Sequence, residues 1–348
     1  MDYRKLLKHA IMASAFIVAP CIQMQAQNQD FKELVASAIK APSGHNTQPW
    51  LFRLQEDAIE VHPNLKNALA VVDPENRELY ISIGCAVENL CVAATQKGYH
   101  PTPVILQEND SISIIRINLK KQAPTNNPLF EAIAKRQTNR SAYNTRTIAA
   151  DTLNLIQGIA KEEGIKFYMY KNGEANFDTL TEYIRQGNEM QMKDEQFKNE
   201  LLNWIRYNKH HVNQTGNGLA YATMGSPSIP KFLGKPLVKA FLKPKTQNKS
   251  DIKKVTSSSH LVLFTIAANT PEEWILLGRT LERFLLETTR LGIANAYMNQ
   301  PCELKELAQK IKEKLLPNDE YPVILIRLGY ASPMPYSPRK SVDSVIIP

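Results

Sequence analysis

Ala41-Pro-Ser-Gly-His-Asn-Thr-Gln-Pro-Trp50 is the stretch on which the reading of this chain turns. Two prolines bracket six small or polar residues, a composition that neither a helix interior nor a central strand tolerates, so the stretch is a loop. Ahead of it, Phe31, Leu34, Val35, Ala38 and Ile39 recur at helical spacing, and Pro42 disfavours helical backbone in the residue before it, which ends that helix. Behind it, Trp50 to Leu54 and Ile59 to Val61 read as a strand pair. A loop with free backbone N–H groups, the Ser43 hydroxyl and the Asn46 amide suits a polar heteroaromatic ring. The same residues also fit a plain turn capped by Ser43 and Asn46, with Trp50 in the core.

Moving outward, Tyr80 to Lys97 is a largely apolar helix, and Pro103 to Leu106 and Ser111 to Leu119 are strands. Gln122 to Asn127 is a polar linker, after which Leu129 to Lys135 starts a new helix. Sliding the chain by 194 residues lays Gly84, Glu88, Thr95 and Gly98 on Gly278, Glu282, Thr289 and Gly292, with apolar positions coinciding between them. In each copy a strand follows, Ser113 to Leu119 and Val323 to Leu328. Duplication of an α+β unit is the economical account: a first half over 27–121 and a second over 122–348. The second carries an insertion at about 188–254, in which eight lysines from Lys231 to Lys254 face one acid, Asp251. Phe232, Leu233, Leu237, Val238, Phe241 and Leu242 make part of it an amphipathic helix whose lysines face water. A lid over a site and a contact with an anionic membrane are the alternatives.

The chain has 348 residues, 43% of them hydrophobic and 22% charged, which fits a packed two-lobed protein and excludes disordered, collagen-like and polytopic membrane classes. A net charge of +8 suits an anionic ligand without making a nucleic-acid binder. Residues 1–26 read as a signal peptide: Arg4, Lys5 and Lys8, then an apolar run from Ala10 to Ala19, then a polar end cleaved after Ala26. That run is shorter than the roughly 20 residues a bilayer span needs. The expectation is an exported, periplasmic protein, or a cytoplasmic one if the leader is retained. Membrane attachment through the leader requires lipidation at Val18-Ala-Pro-Cys21, where Pro20 occupies a position that favours a small residue. The four cysteines form no C-x-x-C pair and the seven histidines are scattered, so neither a disulfide scaffold nor a metal site is expected.

Dinucleotide, P-loop, serine-hydrolase and zinc-peptidase signatures are all absent. A second cluster, Lys135-Arg-Gln-Thr-Asn-Arg-Ser-Ala-Tyr143, instead sets Arg136 and Arg140 around the Thr138 hydroxyl, a donor set for a phosphate monoester. Cations at a helix C-terminus also complement its dipole.

Together, Pro42 to Trp50 and Arg136-Gln-Thr-Asn-Arg140 resemble the FMN-dependent nitroreductase family, and more closely its branch of long single chains with two nitroreductase-like halves. Asp73-Pro-Glu-Asn-Arg-Glu-Leu79, Leu291 to Pro301 and Gly329 to Lys340 extend the resemblance over roughly residues 30 to 345. It implies an α+β nitroreductase-like fold in which the two halves form a pseudo-dimer, so that a monomer suffices. Each motif occurs once, in opposite halves, which implies one FMN site per chain. The residues implied to bind FMN are Pro42, Ser43, Gly44 and Asn46 from the first half; Arg136, Gln137, Thr138 and Arg140 on the phosphate and pyrimidine side; Arg339 as a further cation; and Met298, Asn299 and Gln300 near the reactive flavin edge. His45 is a candidate contact for the acceptor or a loop hydrogen-bonding residue. The implied activity passes two electrons from a reduced nicotinamide through FMN to a nitroaromatic or quinone-type acceptor, with no side-chain nucleophile, no metal and no nucleic acid. The alternative is a non-catalytic FMN-binding or storage protein in which the insertion closes over the flavin.

Overall fold

A computed structural model describes residues 27–109, 112–317 and 319–348. The expected signal peptide over 1–26, its cleavage point and Cys21 lie outside the described residues. In chain order, α1 (27–38) is followed by β1 (Trp50–Leu54), β2 (Ala58–Pro63), α2 (Arg77–Gln96), β3 (Tyr99–Asn109) and β4 (Ile112–Lys121). Next come α3 (Phe130–Lys135), α4 (Ala150–Gln157), β5 (Ile165–Lys171), α5 (Ala175–Lys193) and α6 (Glu195–Trp204). The short β6 (Ile205–Arg206) and β7 (Leu219–Ala220) flank α7 (Lys209–Thr215), and α8 (Lys231–Phe241) and α9 (Pro244–Thr256) complete the helical region. The chain ends with β8 (His260–Ile266), α10 (Pro271–Arg290), β9 (Ala294–Tyr297), α11 (Gln300–Glu303), α12 (Lys305–Leu315), β10 (Tyr321–Gly329) and β11 (Ile346–Ile347).

Two large sheets, β11-β1-β2-β4-β3 and β5-β8-β10-β9, and a two-stranded parallel one, β6-β7, are formed by the described residues. The expected strand pair is present as an antiparallel ladder with Phe52 opposite Val61, and Val61 in turn lies opposite Ile115. Every residue of β8, His-Leu-Val-Leu-Phe-Thr-Ile, is buried, as a central strand covered on both faces requires. The last strand belongs to the first sheet: β11 pairs parallel with β1, Phe52 opposite Ile346, so the end of the chain crosses to the half it did not come from.

Helices α2 and α10 bring the two sheets together at a crossing with almost no side chain between backbones. A Cβ on Gly84 would lie 2.1 Å from Ile275 O and 2.9 Å from Gly278 Cα, and a Cβ on Gly278 would lie 2.1 Å from Ile81 O and 2.9 Å from Gly84 Cα. Ile81 and Ile275 are 194 residues apart, as are Gly84 and Gly278. The glycine contacts of the crossing are thus reciprocal, at positions that the 194-residue offset pairs. Symmetry breaks one turn along. Glu88 is held by Arg279 at 3.2 Å and Arg283 at 2.8 Å, whereas its counterpart Glu282 faces Arg136 at 3.2 Å.

Ahead of the expected insertion, α5 lays Phe177, Leu180, Tyr183 and Ile184 as a helical stripe against Leu261, Leu263 and Leu325 of the second sheet. Within the insertion, the orientation of α8 differs from expectation. Its lysines face water as expected, but Phe232, Leu233, Leu237 and Phe241 are 75%, 54%, 49% and 60% exposed. What α8 turns inward is Gly234, on Tyr207, with Val238 and Leu242.

Candidate active site

The loop after α1 is folded by its own polar groups. Ser43 Oγ accepts a hydrogen bond from Gln48 N at 3.0 Å, and His45, Asn46 and Gln48 all take left-handed backbone, at φ of 47°, 55° and 54°. Three non-glycine residues in that region within four positions is a cost of order 1 to 2 kcal/mol each, met here by contacts from far along the chain. Asn46 donates to Gly218 O and Pro338 O, both at 3.1 Å, and Gln48, fully buried, donates to Gly216 O and accepts from Lys340 N. Loop, insertion and C-terminal segment therefore hold one another.

The arginine segment runs along the edge of β9: Thr138 bridges Asn295, and Asn139 N donates to Asn295 O at 2.8 Å. Arg327 anchors it. That side chain is completely buried, donates to Asn139 O and Ser141 O at 3.0 and 2.7 Å, and lies 3.8 Å from the Tyr143 ring centroid.

Between loop and arginine segment lie two joined chambers, of about 220 and 310 Å³, that share Pro42, Ser43, Arg140 and Tyr297. The inner one adds Gly44, His45, Glu78, Cys85, Asn299 and Glu303, with Ile81, Leu281, Ile324 and Leu219 of the insertion as apolar walls. The outer one adds Asn46, Arg136, Gln137, Thr138 and Arg339. Apolar walls with a few polar groups suit a flat ring, and a chamber with three guanidinium groups suits an anion.

Two of those arginines are already engaged. Arg339 donates to Ile39, Lys40 and Ala41 carbonyls beyond the end of α1 and to Asn46 Oδ1; Arg136 donates to Lys40 O and faces Glu282. Burial and the neighbouring Arg136 push the Arg339 pKa down, against the pull of Glu282. Arg140 makes no hydrogen bond or ion pair among the described residues and borders both chambers. In the inner chamber, burial and the nearby Glu303 and Asp73 carboxylates raise the Glu78 pKa well above the usual range. Burial also raises that of Glu303. Glu78 accepts from Asn299 Nδ2 at 2.6 Å.

His45 Nδ1 has no hydrogen-bond partner among the described residues, and burial, reinforced by the Arg140 charge, pushes its pKa down to about 4. Because the folded value lies below the unfolded value of about 6.5, the unfolded chain takes up the proton first and stability falls as pH drops from 6.5 towards 4. Thermal melts of the flavin-free chain should show that loss, and His45→Asn, which keeps the left-handed backbone, should flatten it. Superimposable pH profiles would remove His45 as its source.

The structure brings together the residues expected from both motifs, and Asn299 and Arg339 with them. Met298 and Gln300 are elsewhere. Side chains alternate along β9, so Tyr297 faces the cleft and Met298 enters the core with Leu325 and Cys302; Gln300 opens α11 and donates to Asn188 and Asp251 at 3.0 and 3.2 Å. Tyr297, Glu78, Glu303 and Leu219 were not expected. The first two lie inside stretches that carried the family resemblance, whereas nothing in the sequence singles out Glu303 or Leu219.

A cleft between the loop after α1 and the arginine segment, with a ring-sized apolar chamber beside a cationic one, is an arrangement that fits the nitroreductase resemblance. That resemblance holds along most of the chain. No protein-family profile matches it. It is 24% identical over 329 residues to "Putative NAD(P)H nitroreductase Rv3131" of Mycobacterium tuberculosis strain H37Rv, covering 90% of each chain. It is also 24% identical over 342 residues to "Putative NAD(P)H nitroreductase acg" of the same strain, covering 90% of this chain and 94% of that one. Among solved structures, an FMN-bound nitroreductase from Bacteroides fragilis is 19% identical, with a TM-score of 0.35 over 60% of this chain and 90% of that one. The FMN-dependent nitroreductase NfnB from Mycobacterium smegmatis, in complex with NADPH, is 14% identical, with a TM-score of 0.38 over 64% and 93%.

Proposed function

We propose that this chain is an FMN-dependent NAD(P)H oxidoreductase of nitroreductase type that delivers two electrons to a nitroaromatic or quinone-type acceptor. The observation that carries the reading is Arg140, a guanidinium without a hydrogen-bond or ion-pair partner among the described residues, between an apolar and a cationic chamber. The residues present fit FMN: Arg140, with Arg136 and Arg339 behind it and the Thr138 hydroxyl beside it, would hold the phosphate. Pro42 to Asn46 would border the ring. Bound FMN supplies the two-electron redox chemistry that no side chain here provides. Ile81, Leu281, Ile324 and Leu219 give the inner chamber apolar walls, and burial with the neighbouring carboxylates raises the Glu78 pKa, which would favour a proton on its carboxyl at the chamber wall. Anaerobic mixing of the holoprotein with NADH and then NADPH tests the reading. Rapid loss of the flavin's visible absorption supports it, and an unchanged spectrum with both donors overturns it.

Because the loop and the arginine segment each occur once, released flavin should approach one equivalent per chain, and a monomer is sufficient. Two equivalents would require a site outside this cleft. A second reading, flavin storage, is favoured by the hydrogen bonds from Asn46 and Gln48 to Gly218 and Gly216, which tie the insertion over the cleft. It predicts tightly bound FMN that neither donor reduces. The export reading of residues 1–26 stands beside these as a proposal. N-terminal sequencing of protein from its native cell should start at Gln27; an intact Met1 would keep the chain among cytoplasmic nicotinamides.

A further inference from the structure

The helix α8 carries its largest side chains on the wrong side for a soluble helix. At about 100° per residue, Phe232, Leu233, Pro236, Leu237, Ala240 and Phe241 cover one half of its circumference, and all six are exposed. The opposite half holds the sparse contacts with the protein: Gly234, whose Cβ would lie 2.6 Å from Tyr207, then Val238 and Leu242. Lys235 and Lys239 line one flank of the apolar arc, and Lys231, Lys243, Lys245 and Lys249 extend the charge over the helix start and the turn into α9; all are exposed. Among the described residues only Lys239 of these six has an ion pair, to Glu195 at 3.9 Å. The one acid in the stretch, Asp251, is buried, accepts from Asn188, Gln247 and Gln300 and pairs with Lys254 at 3.2 Å, so it leaves these six lysines without its charge.

An apolar arc of this size on a soluble chain marks a contact surface. Its occupant has to be apolar at the centre and anionic around it. A second copy does not meet that requirement, because a self-complementary contact would set the same lysines against one another. A convex helix face also fits the hydrophobic groove of a protein partner, and failure to bind phosphatidylglycerol vesicles would point to one.

We propose that α8 is an in-plane membrane anchor that seats Phe232, Leu233, Leu237 and Phe241 among the acyl chains of an anionic phospholipid surface, with the surrounding lysines at its headgroups. The apolar arc sets depth, and the lysines select the charge of the surface.

The test is co-sedimentation of the full chain with vesicles of phosphatidylcholine alone or mixed with phosphatidylglycerol. Binding should require phosphatidylglycerol, and Lys235→Glu with Lys239→Glu should lower it by at least roughly thirty-fold, at about a factor of five for each lysine removed. Phe232→Ser with Phe241→Ser should abolish the remainder while the melting temperature stays put, both side chains being exposed. Because residues 1–26 contain an apolar run, a local readout is added. Phe232→Trp should gain blue-shifted emission, over the wild-type signal, only with phosphatidylglycerol vesicles. Unshifted emission from the Phe232→Trp variant, or binding indifferent to both double variants, overturns the proposal. So does a lipid-free dimer, seen by light scattering, that Phe232→Ser with Phe241→Ser dissociates.

Discussion

Arg140→Ala is expected to weaken FMN binding by about 2 to 5 kcal/mol and to leave the melting temperature of the flavin-free chain nearly unchanged. The two parts of that outcome share a cause. Arg140 has no partner to abandon among the described residues, so truncation orphans none of them, and the ligand phosphate would be its main counter-charge. Arg136→Ala should behave differently although it belongs to the same motif. It strips Glu282, whose side chain is fully buried, of its facing cation, and breaking such a pair costs about 3 to 5 kcal/mol of fold stability. Burial already holds the Glu282 carboxyl at about 7 against the pull of Arg136, so without that arginine it should stay protonated further into the alkaline range. Equilibrium dialysis with FMN and thermal melts of both variants separate the two cases. Full flavin retention by Arg140→Ala after extensive dialysis would falsify the phosphate assignment.

The second large effect concerns the helix crossing. Gly84→Ala and Gly278→Ala each place a methyl carbon 2.1 Å from a backbone oxygen that no side-chain rotation can move, so each should cost at least the 1 to 3 kcal/mol of an overpacked core, about equally. The double substitution should cost less than their sum, because the first already parts the helices that the second would have met. Urea unfolding of the three variants measures this. Unequal single costs would mean that the two-fold relation between α2 and α10 is geometric only, with the surroundings of each helix deciding its tolerance.

The motifs made the loop and the arginine segment legible because each concentrates unusual residue types within nine positions. Strand alternation was legible too, and applied strictly to Ala294 to Tyr297 it is enough to set Tyr297 and Met298 on opposite faces. Glu303 and Leu219 were out of reach for a different reason: a carboxyl on a short helix and a leucine in an insertion acquire a role only through where distant elements place them. Arg327 is similar, since an arginine in the centre of Val-Ile-Leu-Ile-Arg-Leu reads as a solvent-facing strand residue until Asn139 and Ser141 are known to lie above it. The helix α8 shows the limit of periodicity itself. Its pattern identifies two faces, but which of them the protein keeps is set by Gly234 against Tyr207.

The crossing of β11 into the first sheet also fixes an order of events. Asn46 leaves the ribosome 293 residues before Arg339, its partner across the cleft, a delay of roughly 15 to 60 s at ordinary rates of synthesis. Throughout that interval the loop that borders the inner chamber lacks both the guanidinium and the strand that hold it. The cleft therefore cannot close before Arg339 has emerged, and a ribosome that stops short of it leaves no finished place for a cofactor.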